Sequence, residues 1–319
     1  MSEYYPDRVL LCEANQLPHE VLEYFGEGDE FQMGFNFPIM PRIFLSLKKE
    51  NAEALREILH NTTARSELVE GLTSKLPPNC QWCTFLRNHD ELTLEMVNEA
   101  ERQWMWEQYA PQPEMRLNLG IRRRLAPLLD NDVRKISLAF TLLYALPGSP
   151  IIYYGDEIGM GDDLSLFDRN GVRTPMQWLG VESAGFSEAI PASYYAPVIH
   201  TSPYDPYTVN VEDQQADRAS LFHKLKQLNH VRKENPAFGL GSFTWLDVSP
   251  PAVAVFLRSY QEVSILALHN LSSQEQRVSL PLETSRYKDL LDGVDFQAIH
   301  AKQLTISLAP YQVRWLKGV

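Results

Sequence analysis

Apolar and polar segments alternate along residues 1–155 in a way that predicts short buried strands separated by helices. Apolar runs of strand type lie near residues 10, 34, 84 and 152. Apolar residues at helical spacing occupy the segments between them, most clearly over residues 130–146. This alternation is typical of an α/β fold with a parallel sheet, because a helix returns the chain between parallel strands.

The pattern changes twice in the second half of the chain. Residues 156–214 are rich in Pro, Asp and Tyr and show weak periodicity, as expected of a long insertion that shapes a pocket. From about residue 239, short runs of alternating apolar and polar residues predict a small antiparallel β-sandwich. The predicted domains are therefore residues 1–238 and residues 239–319.

Ionisable side chains follow two of the predicted strands at the point where each strand ends. Glu13 and Asn15 follow the first strand, and the run 88–91, Asn-His-Asp-Glu, follows the third. Two strand ends that each deliver a carboxylate favour paired acid–base chemistry at one edge of a sheet. The alternative is a buried strand followed by an ordinary charged loop, with Glu13 as a solvated residue.

Several long motifs carry a family resemblance. VLLCEANQ, FLRNHDELTLEMV, PGSPIIYYGDEIGMGD and DRNGVRTPMQW resemble the α-amylase family and, within it, the trehalose synthases, which are maltose–trehalose glucosylmutases. The resemblance runs from about Tyr5 to the C-terminus. It implies the second half of a (β/α)8 TIM barrel, strands 5 to 8, followed by a C-terminal antiparallel β-sandwich domain.

The resemblance also implies roles for individual residues. Glu13 matches the general acid/base, Asp90 matches the residue that stabilises the transition state, and His89 matches a substrate-binding residue beside it. Retaining cleavage also needs a carboxylate nucleophile about 5–5.5 Å from the acid. The family's nucleophile is an Asp in a pattern like GFRxDA, and this sequence contains no such pattern. We therefore expect the chain to be a fragment without the first half of the barrel, and to be inactive alone.

Further polar residues match the substrate pocket. Asn15, Glu91 and Glu95 match a polar lid that retains the freed glucose, and a helix starting at Glu91 would place both glutamates on one face. The alternative is two solvated acids. Arg173 is a further substrate-binding candidate, with an ordinary loop salt bridge as the alternative. The three arginines at 122–124 are expected on a solvated or salt-bridged helix face.

Composition restricts the partners. The 319 residues carry a formal net charge of −12, which argues against nucleic acid and anionic membranes as partners. The sequence lacks an apolar run of about 20 residues and a signal peptide at its start, so we expect a cytoplasmic protein. The expected partners are a disaccharide substrate and either the missing N-terminal half or a second copy.

No cofactor or metal is expected. The family's calcium site draws mostly on the first half of the barrel, and Asp156, Asp162 and Asp163 lack the spacing of an EF-hand loop. Cys80 and Cys83 have no second ligand pair nearby, so buried thiols are expected instead of a zinc site. The leading hypothesis is a glucosylmutase. The alternatives are an α-glucosidase or amylase-type hydrolase, and a non-catalytic chain that binds carbohydrate or a partner.

Overall fold

The structure is a computed structural model, and it describes residues 7–16, 18–59, 76–77, 79–281, 286–297 and 303–318. The chain divides into two compact units. The first unit comprises Met1–Phe85, Thr141–Ile151 and Val231–Val319, and the second comprises Leu86–Phe140 and Ile152–His230. Among the described residues, no helix is long and apolar enough to cross a membrane.

The described helices are α1 Pro18–Val21, α2 Ile39–Lys49, α3 Glu53–Leu59, α4 Glu99–Tyr109, α5 Leu125–Leu128, α6 Val133–Ala145, α7 Val211–Ala216, α8 Leu221–Glu234 and α9 Ala237–Leu240. The described strands are β1 Leu11–Cys12, β2 Met33–Phe35, β3 Gln81–Phe85, β4 Leu92–Thr93, β5 Arg116–Leu117, β6 Gly120–Ile121, β7 Ser149–Ile151, β8 Ser242–Trp245, β9 Val253–Tyr260, β10 Val263–Asn270, β11 Gln276–Pro281, β12 Arg286–Asp289, β13 Asp295–Gln297, β14 Gln303–Leu308 and β15 Val313–Gly318.

A four-stranded parallel sheet organises the N-terminal part of the first unit. Its order is β1-β2-β3-β7, with Leu11 paired to Met33 and Phe85 paired to Ile151. These strands lie where the apolar runs predicted them, and their order confirms the predicted parallel arrangement. Cys12 and Cys83 are buried and, like Cys80, carry free thiols. Burial raises the pKa of Cys83 to about 11, so this thiol is unreactive near neutral pH.

The C-terminal part of the first unit consists of antiparallel sheets, as predicted. A six-stranded sheet has the order β13-β12-β15-β10-β9-β8, and β11 pairs with β14 in a second sheet. Side chains from both sheets form one buried core, which includes Val255 and Leu268 from the larger sheet and Val278 and Ile306 from the smaller. Alternate residues of β14 are buried and exposed, because one face of that strand packs on the core.

The second unit contains helices, a small antiparallel sheet and long irregular segments. The sheet has the order β4-β6-β5. Helix α4 begins with a capping box, in which the Asn98 side chain accepts from the Glu101 backbone N–H and the Glu101 carboxylate accepts from Asn98 N–H. The capping box satisfies two backbone donors that a helix N-terminus leaves unpaired, and it fixes the start of the helix at Glu99.

Candidate active site

Asp90 lies between two arginine side chains in the second unit. Arg173 Nη2 donates to Asp90 Oδ1 over 2.6 Å, and Arg173 Nε donates to the His89 carbonyl oxygen over 2.7 Å. Arg169 Nε lies 3.3 Å from the same Asp90 oxygen. Asp90 Oδ2 lies 3.7 Å from His89 Nε2. The guanidinium groups therefore hold one carboxylate oxygen of Asp90, and the other oxygen faces the imidazole.

Glu91 is held at least as firmly as Asp90. Arg169 donates to both of its carboxylate oxygens, from Nε over 3.1 Å and from Nη2 over 3.2 Å. Asn118 Nδ2 donates to Glu91 Oε1 over 2.6 Å. The side chain is only 12% exposed. This geometry rules out the interpretation of Glu91 as a solvated acid, because a paired guanidinium fork and an amide fix both of its oxygens.

A largely buried group of charged side chains supports the Asp90 segment; we call Arg87, Arg123, Arg124, Asp156 and Asp162 the arginine cluster. Arg87 donates to the Asp90 carbonyl oxygen over 2.6 Å and to the Arg123 carbonyl oxygen over 2.7 Å. Arg123 Nε lies 3.0 Å from Asp162 Oδ2, and Arg124 Nη1 lies 3.5 Å from Asp156 Oδ1. Arg87 thus fixes the backbone of Asp90, and Arg169 and Arg173 hold its side chain.

Burial shifts the pKa values of this cluster. It raises the pKa of Asp156 to about 7, although Arg124 and Arg87 oppose the shift. It also raises the pKa of Asp162, against the attraction of Arg123. It lowers the pKa of Arg87 to about 10. In each case the cause is desolvation, which disfavours the charged form of the group.

Two of the candidate site residues lie in the first unit. Glu13 and Asn15 follow β1 and line a recess of about 430 Å³ together with Tyr24 and Phe31. Glu13 is exposed. The structure therefore brings Glu13 and Asn15 to one recess, and it brings His89, Asp90, Glu91 and Arg173 together in the second unit. The convergence of these two groups on one pocket stays a prediction.

Two expectations from the sequence are wrong. Glu91 and Glu95 do not share a helix face, because Glu91 precedes β4 and the chain becomes helical only at Glu99. Glu95 is exposed, and its backbone N–H donates to Thr93 Oγ1 over 3.4 Å. The arginines at 122–124 precede α5 and do not form a helix face, although Arg123 and Arg124 do form salt bridges. Arg124 is fully buried and extends over the rings of Tyr153 and Tyr154, with centroid distances of 4.7 and 4.8 Å.

Arg169 contacts both acidic residues of the site, although the sequence motifs assigned it no role. It precedes a 3-10 turn over Asn170–Val172, and Arg173 follows that turn. One turn of the chain therefore presents two guanidinium groups to Asp90. The signal that could have found Arg169 is the motif DRNGVRTPMQW itself, which contains both arginines.

Comparison with known proteins identifies this architecture. A profile of the α-amylase catalytic domain matches residues 121–241, and a profile of the maltogenic amylase C-terminal domain matches residues 243–315. A trehalose synthase from Pimelobacter sp. is 44% identical over 99% of the chain. The chain is therefore similar to α-amylase-family proteins along its whole length, with the catalytic-domain match confined to residues 121–241. An α-amylase from H. orenii has the same fold, with a TM-score of 0.70 at 21% identity over 100% of this chain and 55% of that chain.

The relatives are longer than this chain. The chain covers 56% of the Pimelobacter trehalose synthase. It covers 53% of a trehalose synthase/amylase from Mycobacterium tuberculosis, to which it is 42% identical over 99% of its own length. The chain thus spans about half the length of these curated relatives, and its fold is part of an α-amylase catalytic domain with the C-terminal domain.

Proposed function

We propose that this chain forms the acid/base side of an active site that interconverts maltose and trehalose by retaining glucosyl transfer. The observation that carries the proposal is the pair of arginines that holds Asp90 beside His89. In this mechanism Glu13 protonates the glucosidic oxygen as it leaves, and Asp90 stabilises the positive charge that develops on the glucosyl ring.

The geometry of Asp90 suits that role. Arg173 and Arg169 contact Oδ1, and neither of these contacts involves Oδ2. A carboxylate held through one oxygen can accept hydrogen bonds from sugar hydroxyls with the other. Because the arginines and the buried Arg87 fix its position before substrate binds, little reorganisation is needed as the transition state forms.

A mutase must also retain the freed glucose and exclude water from the glucosyl intermediate. The ordered contacts of Glu91 with Arg169 and Asn118 support a fixed polar wall at this point. The names of the relatives support the same activity. One of them is called a trehalose synthase/amylase, so hydrolysis of the intermediate is the second candidate function.

The proposal leaves the covalent nucleophile outside these 319 residues, which lack the GFRxDA pattern. A segment of the complete protein or a partner chain would supply it. The sugar substrate and the cytoplasmic location predicted from the sequence are part of the same proposal.

The test supplies the complete protein with maltose and separates the products by anion-exchange chromatography. We expect trehalose as the main product, and a loss of several orders of magnitude in rate for Glu13→Gln and for Asp90→Asn. The exposed Glu212→Gln serves as a matched control. Glucose as the main product would indicate the hydrolase instead, and full activity in both variants would remove Glu13 and Asp90 from the mechanism.

Cooperation between Glu13 and Asp90 has its own test. If the two carboxyls act on the same glucosyl unit, the double variant should cost little more in kcat/KM than the more damaging single variant. Independent sites would instead give additive losses in the free energy of activation.

A further inference from the structure

A hairpin in the second unit, residues 115–122, packs against Glu91. It contains β5 and β6, and β6 pairs with β4, the strand that follows Glu91, with Ile121 opposite Leu92. Gly120 permits this close approach, because a Cβ there would lie 2.6 Å from the Leu92 carbonyl oxygen and 2.8 Å from Glu91 Cγ. The hairpin therefore fixes the course of the chain as it leaves Glu91.

Asn118 lies at the turn of this hairpin, between β5 and β6, and its side chain contacts Glu91. Asn118 Nδ2 donates to Glu91 Oε1 over 2.6 Å, and the same oxygen accepts from Arg169 Nη2. The φ of Asn118 is +50°, a left-handed conformation that asparagine adopts more readily than most residues. The turn thus directs an amide at a carboxylate, which gives a charge-assisted hydrogen bond.

Arg122 ends the hairpin and holds the segment that carries Arg169. Its Nη1 donates to the carbonyl oxygens of Leu166 and Asp168, each over 2.6 Å, and its Nη2 donates to the Leu164 carbonyl oxygen over 3.0 Å. One guanidinium therefore binds three backbone carbonyls just ahead of Arg169. A lysine could not reproduce these contacts, because an ammonium lacks the planar fork of five donors.

We infer that the hairpin is a positioning element for the Glu91–Arg169 ion pair. Asn118 orients the carboxylate directly, and Arg122 orients the guanidinium through the backbone of residues 164–168. The two residues act on opposite members of one pair, and neither has to touch the sugar. The inference rests on the proposed function for its consequence: when Glu91 is displaced, the freed glucose escapes and water reaches the glucosyl intermediate.

The test measures the products and kcat/KM of the complete protein on maltose. Asn118→Gly removes the amide but keeps a residue that adopts positive φ, and Arg122→Lys keeps the charge but loses the fork. Each should raise the ratio of glucose to trehalose by about 3- to 100-fold, because a misplacement of about 1 Å can change a rate by about 100-fold. Arg116→Lys is the matched control on β5. Arg116 donates to the Ala110 carbonyl oxygen and lies over Trp106, so its variant should keep the wild-type ratio.

Double variants separate positioning from a general loss of stability. Asn118→Gly should change the product ratio no further when Glu91→Ala is already present, because its partner is gone. Arg122→Lys should likewise change it no further in the Arg169→Ala background. Additive effects in both pairs would overturn the inference, since they would show that the hairpin acts on something other than this ion pair.

The position of Arg169 can also be followed without turnover, by NMR of the complete protein with 15N-labelled arginine. The Arg169 Nε–H signal, assigned by its loss in Arg169→Ala, should shift in Asn118→Gly and in Arg122→Lys but not in Arg116→Lys. An unchanged signal in either of the first two variants would overturn the inference, whatever the products are. Glucose as the only product of the wild type would refute the proposed mutase alone, and the double variants would then test the inference through kcat/KM for maltose hydrolysis.

Discussion

Replacing Asp156 by Asn tests the electrostatics of the arginine cluster. The Asp156 side chain is 2% exposed, and burial raises its pKa from the ordinary value of 3.8 to about 7. Between these two values the folded state holds a proton on Asp156 that the unfolded chain has released. The contribution of this group to the free energy of unfolding is therefore largest below pH 3.8, and it decreases as the pH rises to about 7.

The size of the effect follows from the shift. One pKa unit corresponds to about 1.4 kcal/mol, so the whole shift corresponds to about 4 kcal/mol and the part above about pH 5 to about 3 kcal/mol. Asn resembles the protonated carboxyl in shape and does not titrate. The stability of Asp156→Asn relative to wild type should therefore increase by about 3 kcal/mol between about pH 5 and about pH 8.

The assay is urea unfolding of the complete protein at a series of pH values, followed by circular dichroism. Asp295→Asn, an exposed change on β13, is the control and should run parallel to wild type. A stability difference that stays constant with pH, or a decrease in the stability of Asp156→Asn relative to wild type as the pH rises, would refute the reasoning. It would show that attraction to Arg124 and Arg87 outweighs the desolvation of Asp156.

Three further predictions concern activity on maltose. Arg173→Lys keeps the charge but can replace only one of two charge-assisted hydrogen bonds, so kcat of the complete protein should fall by about 10- to 150-fold; an unchanged kcat contradicts this. Glu91→Ala and Asn15→Ala should each raise the ratio of glucose to trehalose in the products, and wild-type ratios in both would remove them from the lid. The 319-residue chain alone should not turn over maltose, because it lacks the GFRxDA pattern. In addition, β1 and β7 are the outer strands of the described parallel sheet, and their outer edges are open. Sustained trehalose formation that disappears with Glu13→Gln would show that another carboxylate, such as Asp156 or Asp168, serves as nucleophile.

The parallel strands and the C-terminal sheets were predictable because local sequence determines them. Strands buried on both faces read as short apolar runs, and strands buried on one face alternate. For β3 and β14, the residues of the strand itself are therefore enough to predict the strand. The family motifs then placed the barrel strands in order, and the structure confirms that order.

The errors come from contacts that span long stretches of sequence. Three adjacent arginines predict a solvated or salt-bridged face, because an arginine is almost never fully buried without partners. The partners of Arg124 are Tyr153, Tyr154 and Asp156, about 30 residues away in sequence, and nothing local indicates that they pack together. The start of α4 at Glu99, which the expected helix from Glu91 missed, does carry a local signal, because Asn98 and Glu101 form a capping-box pattern.

The arginine cluster explains why a protein would bury charges that hydrophobic residues could replace. A buried ion pair adds little net stability, because desolvation offsets the attraction. A buried ion pair does, however, fix the positions of the side chains that form it. Arg87 holds the backbone of Asp90, and Arg124 lies against the ring of Tyr154. A binding or catalytic side chain must be held within about 0.5 Å of its productive position, and packing together with hydrogen bonds from its neighbours achieves this. In the proposed mechanism, the buried charges of the arginine cluster provide the rigid support that Asp90 needs.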